Sequence, residues 1–157
     1  MRHPFSEILT NRHLLTALVA LVVAQVLKVL FDYWRTSSWT KAMLVSTGGM
    51  PSSHSALVVS VMMSIGIHEG FGTTIFAVSA VLALVVMHYA AGIRRAAVKQ
   101  AEAINFLFSK LESQGIKFDK RLKELLGHRP IEVIAGATLG FTVALVAYAL
   151  FPYANSY

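Results

Sequence analysis

Residues Ser46–Val61 read STGGMPSSHSALVVSV, placing two glycines, a proline, serines and a histidine directly before an apolar run. Gly48 and Gly49 permit backbone angles closed to other residues. Pro51 suits the first position of a helix, where a missing N–H costs nothing. The N–H groups of Ser52, Ser53 and His54 would then face outward with the positive end of the helix dipole behind them. Such a terminus suits phosphate, the two serine hydroxyls add donors, and His54 can hand a proton to the same anion. The same residues also compose an ordinary helix cap with a passenger histidine, and this stretch alone leaves both readings open.

The 157-residue chain is 55% hydrophobic and 14% charged, against about 25% charged residues in a soluble domain. Its mean hydropathy is +0.60, so lipid is the expected solvent. The expectation is a single all-α membrane domain, 1–157, with about four spans near 14–31, 51–67, 73–93 and 131–151. The second span is short and reaches adequate length only by starting near Pro51. Arg2 and Arg12 before an apolar run ending VVAQ open like a signal peptide. The run continues to Phe31, so a retained span is the expectation. The chain contains no cysteine, which excludes disulfides and thiolate chemistry.

Nine of the 14 Lys and Arg residues lie between Arg94 and Arg129, and two more between Arg35 and Pro51. HEGFG, between the second and third spans, has none. The positive-inside rule therefore puts both basic loops in the cytoplasm. The net charge of +6 is read as topology and attraction to anionic headgroups, without nucleic-acid binding. Within the long loop, Ala97, Ala101, Ile104, Phe108 and Leu111 recur at helical spacing, predicting an amphipathic cytoplasmic helix on the membrane surface or the bundle base. SQG breaks it, and FDKRLKELLG predicts a second short helix between Asp119 and Gly127.

A second histidine motif, LGHRPIEVIAGATLG, sets His128 before a proline at the start of the last span. Glu132 follows four residues later, in reach to orient the His128 ring. By the sidedness argument His54, His128, Arg94 and Arg95 all fall at cytoplasmic ends of spans. Two histidines, an arginine pair and an anion-binding helix start suit phosphoryl transfer. One imidazole attacks phosphorus, the other protonates the leaving oxygen, and cations hold the equatorial oxygens. That chemistry calls for no metal or other cofactor, and no H-E-x-x-H or carboxylate cluster suggests one.

Three motifs together, GGMPSSHSA, GIRRAAVKQAEAIN and LGHRPIEVIAG, resemble the divergent branch of the type 2 phosphatidic acid phosphatase family. That branch is related to acid phosphatases and vanadium-dependent haloperoxidases. The likeness runs from AQVLK to the last span. It implies that His54 is the general acid and that His128, with Glu132, is the nucleophile. It further implies that Lys28 corresponds to the early phosphate-binding lysine. Ser53 stands where the wider superfamily has glycine, Leu122 where it has an arginine, and Tyr89 and Val98 where the divergent branch commonly has aspartate and glycine. Arg94 or Arg95 can take the missing arginine's place.

Site placement and resemblance together predict a multi-pass protein of a bacterial-type plasma membrane. It would hydrolyse a lipid-linked phosphate or diphosphate at the cytoplasmic face through a phosphohistidine. Its phosphate ligands would be Gly49, Ser52, Ser53, Lys28, Arg94 and Arg95. The alternative is a non-catalytic membrane protein that keeps the anion pocket for a phosphorylated lipid or partner. A transporter fits less well, because few ionisable groups lie midway along the spans. Gln25, Lys28 and Asp32 share one helix face, where ion pairing and snorkelling are an adequate account of the charged pair. His3, His13 and His68 read as surface residues, and His88 as a packed polar residue. Ser60 with Ser64, and Gly136 with Gly140, read as helix-packing pairs.

Overall fold

The computed structural model describes residues 4–37, 49–114 and 129–152. Among the described residues five helices follow one another: α1 (Pro4–Thr10), α2 (Arg12–Thr36), α3 (Ser53–Glu69), α4 (Thr74–Glu112) and α5 (Pro130–Leu150). No strand occurs among the described residues. Three helical stretches, Arg12–Thr36, Thr74–Ala91 and Pro130–Leu150, are long and apolar enough to cross a membrane. Helix α3 has 17 residues, a rise of about 25 Å against a hydrocarbon core of about 30 Å. The shortness visible in its sequence is therefore real.

Helices α2, α3 and α4 each begin where a side chain replaces a missing intrahelical acceptor. The Asn11 side chain accepts from the Leu14 N–H at the start of α2, and Thr73 accepts from Phe76 at the start of α4. Between α3 and α4 the chain turns at Gly70, whose φ of +104° closes off α3. Pro130 opens α5 at its first turn, as its sequence predicts.

Helix α3 is the centre of the bundle and packs against α2, α4 and α5. Nine of its 17 residues are buried, among them Ser53, Ser55, Ala56, Ser60, Ser64 and Gly66. These are small side chains, which lipid-embedded helices use to bring backbones close when no hydrophobic effect drives association. Ala20 and Ala24 of α2 meet Ala56 in one buried cluster, with Leu139 and Val143 of α5 against it. Val58 and Val59 meet Ala83 of α4 in another. Helix α2 is thus built into the bundle.

The closest approach is between α3 and α5. A β-carbon at Gly136 would run into the Ser52 carbonyl, and one at Gly140 into the Ala56 carbonyl. The expected packing role of this glycine pair is met by backbone on backbone.

Helix α4 runs without interruption for 39 residues, about 58 Å, and ends at Glu112 beside the SQG breaker. The helical segment expected after Arg94 is therefore a continuation of the span. The short helix expected between Asp119 and Gly127 lies outside the described residues.

Gly140→Ala is expected to lower stability even though it gains about 1 kcal/mol of helix propensity. A backbone carbonyl cannot swing aside as a side chain can, and overpacking of this kind costs about 1–3 kcal/mol. Gly72→Ala, where nothing lies within 4 Å of the added carbon, is expected to be near neutral. Denaturant titration in detergent micelles checks both; an unchanged midpoint for Gly140→Ala would contradict the contact.

Candidate functional site

The turn before α3 differs in detail from its sequence reading. The helix starts at Ser53 with Ser52 as its N-cap, so Pro51 stands before the cap, not in the first turn. The Met50–Pro51 bond is cis. The Ser52 hydroxyl oxygen accepts from the Ser55 N–H at 3.4 Å and from the Ser55 hydroxyl at 3.1 Å. The Ser52 N–H, expected to face outward, donates instead to the Glu132 carbonyl oxygen of α5 at 3.0 Å. The reason is tertiary: α5 supplies the acceptor that a lone helix start would lack.

That bond joins the two proline-led helix starts. Ser52 is fully buried and Ser53 nearly so, whereas His54 is exposed. Glu132 lies half-buried in the first turn of α5. Gly49 has φ +100°, a conformation only glycine adopts cheaply. A β-carbon there would lie 3.3 Å from Lys28 Cγ and 3.5 Å from Asp32 Oδ2. Gly49 thus satisfies two constraints at once, a left-handed backbone and a close approach to α2.

Under it, Lys28 is only 1% exposed and its ammonium donates to Gln25 Oε1 at 3.4 Å. Snorkelling does not describe a lysine sealed inside the bundle. Five of the residues expected at the site, Lys28, Gly49, Ser52, Ser53 and Glu132, are therefore gathered at one end where α2, the turn and α5 meet. The backbone of Arg94 and Arg95 lies on α4, 20 and 21 residues after its start, so the helix has returned past the level of Ser53. Their side chains, like His128, Leu122 and Val98, lie outside what the structure describes. Tyr89 is more than half exposed and its ring stands edge-on to His88, which is itself exposed and not packed as its sequence suggests.

At the opposite end the structure assembles a cluster that the sequence reading scattered over the surface. His13 Nδ1 lies 2.8 Å from Ser64 Oγ, and His13 Nε2 lies 3.1 Å from Glu69 Oε1. His68 Nδ1 donates to the Ser64 carbonyl at 2.7 Å. The His68 ring stands edge-on between His13 and Tyr148 of α5, at 5.6 and 5.5 Å. Serine, histidine and carboxylate in series imitate a nucleophilic triad, but Ser64 is 1% exposed and no substrate reaches it. The cluster is a clasp tying α2 to α3. Its one signal in the sequence is Ser60, Ser64 and His68 at spacings of four, a polar row along one helix face.

The architecture and this site end define a helical integral-membrane protein with paired proline-led helix starts. The chain belongs to the divergent PAP2 family, whose model matches residues 9–143. It is 40% identical over 151 residues to "Uncharacterized membrane protein YuiD" of Bacillus subtilis (strain 168), covering 89% of this chain and 96% of that one. No solved structure matches it.

His13→Ala is expected to destabilise the bundle by about 1–3 kcal/mol, because it strands the buried Ser64 hydroxyl. The double variant His13→Ala with Ser64→Ala should recover part of that loss. Equal loss in both, measured by denaturant titration, would mean that the hydrogen bond contributes nothing.

Proposed function

We propose that this protein is a membrane-embedded phosphatase acting on a lipid-linked phosphate or diphosphate through a phosphohistidine. The observation that carries the reading is the Ser52 N–H bond to the Glu132 carbonyl. It joins Ser52, two residues before His54, to Glu132, four residues after His128 and 80 residues on in sequence, and buried Lys28 lies under the same turn. Family membership supports a PAP2-related role.

In this mechanism a ring nitrogen of His128, left free when Glu132 holds the other, attacks phosphorus. The phosphorus–oxygen bond to the lipid breaks, and His54 gives its proton to the departing oxygen. Water, deprotonated by the now neutral His54, then cleaves the phosphorus–nitrogen bond and releases phosphate. Lys28, Arg94 and Arg95 neutralise the charge on the non-bridging oxygens, where fixed cations in a dry site act most strongly. His54 is the exposed member, as a group exchanging protons with water should be. The second reading, a phosphate-binding protein without turnover, draws support from Tyr89 standing where the branch commonly has an acid.

Phosphate release from a panel of lipid phosphates by purified protein is the direct test. Release is expected from the wild type and lost in His128→Ala. Acid quenching with labelled substrate should leave the phosphoryl group on His128. No release from any lipid phosphate, with phosphate binding kept, would favour the second reading.

Sidedness has its own test, since the chain contains no cysteine. Ser113→Cys, past the far end of α4, should react with an impermeant maleimide only from the cytoplasmic side. Gly72→Cys should react only from the other. The reverse pattern would place the candidate site on the outer face.

A further inference from the structure

An open cavity of about 700 Å³ lies between α1–α2 and α5, at the end of the bundle away from the Pro51 turn. Its size falls in the ordinary range for ligand sites, about 300–1,000 Å³. Polarity is graded along it. Arg12 and His68 lie toward the outer end, whereas Val19, Val23 and Val143 line the inner part. Two wall hydroxyls are already committed: Thr16 donates to the Arg12 carbonyl at 2.8 Å, and Thr142 to the Thr138 carbonyl at 2.9 Å. The inner wall therefore offers a ligand apolar contact only.

From Arg12 to Val23 the wall rises through eleven helical steps, about 16 Å, or roughly half the hydrocarbon thickness of a bilayer. The cavity thus has the depth of one leaflet, with its cation at the level of the headgroups. The Arg12 guanidinium donates, among its contacts, to the Phe151 carbonyl at the end of α5 at 3.3 Å, so it sits across the mouth and joins both walls. Its planar fork carries five donors and matches phosphate geometry. The nearby acid, Glu69, is turned to His13 at 3.1 Å.

We infer that this groove holds one anionic phospholipid of the leaflet opposite the candidate phosphatase site, its phosphate on Arg12 and an acyl chain along Val19 and Val23. An amphiphile fits this graded wall better than a neighbouring helix does, since a helix would set apolar residues against Arg12. Chain burial supplies affinity that is the same for any lipid, about 0.8 kcal/mol per methylene taken from water, and far less when exchanged from other lipid. Selection for the anionic class therefore rests on Arg12. The bound lipid joins α2 to α5, whose direct packing is slighter than that of either with α3.

Native mass spectrometry of the full chain released from nanodiscs of equal phosphatidylglycerol and phosphatidylcholine tests this. One phosphatidylglycerol per chain should be retained, favoured about tenfold over phosphatidylcholine. Arg12→Gln should reduce that preference to near one. Val146→Trp, at a half-exposed position lining the groove, should remove the retained lipid while leaving the helical content unchanged. Equal retention of the two lipids by the wild type would overturn the proposal, and so would retention unaffected by both variants. Phosphatase activity has no part in the readout, so absence of turnover leaves this result standing.

Discussion

The fold depends on the contact between α3 and α5, where two glycines let one helix lie directly on the carbonyls of the other. The hydrogen that occupies the side-chain direction at Gly136 points at the Ser52 carbonyl, and that at Gly140 at the Ala56 carbonyl. Weak C–H···O contacts of this kind are worth about 0.5–1 kcal/mol each. Their larger effect is geometric. Helices this close expose polar backbone to each other instead of to lipid, and Ser52 can then donate its N–H to Glu132. Packing thereby fixes the relative register of the two motifs that carry the candidate histidines.

Small residues make that register possible but contribute little buried apolar area of their own. The bundle compensates with polar bonds between helices at the two ends of α3. The clasp of His13, Ser64 and Glu69 secures the end of α3 away from the Pro51 turn, while the Ser52–Glu132 bond secures its start. Held at both ends, α3 is the fixed element, and α2, α4 and α5 are arranged around it. Its 17 residues need not match the full bilayer thickness, since most of its surface meets protein.

Much of this was legible in the sequence. Apolar run length located the spans, Pro130 marked a helix start, and small residues four apart announced close helix packing. What escaped depends on partners distant in the chain. That Ser52 caps α3 and Pro51 stays outside it depends on Glu132, because a tertiary acceptor for the Ser52 N–H removes the need to leave that group in the first turn. His13 and Glu69 are 56 residues apart, and no local periodicity pairs them. Lys28 looked like a span-end residue by position, yet the fold of Gly49 over its stem buries it.

Lys28 also sets a constraint on how any anion can bind at this end. Burying an ammonium costs several kcal/mol, whereas one hydrogen bond to a charged group returns about 1.5–3. The 3.4 Å bond to Gln25 is therefore insufficient alone, and the carboxylate on the same helix face is that of Asp32, one turn on. Gly49 rests against both side chains, so the turn that carries the Pro51 motif closes over them. Under the proposed function, a phosphate bound at Lys28 would bring its charge to a helix face that already carries the Asp32 carboxylate. A dianion would outweigh that carboxylate, whereas a monoanion would only match it. If Lys28 is a phosphate ligand, as proposed, a terminal phosphate monoester would therefore suit it better than a phosphodiester.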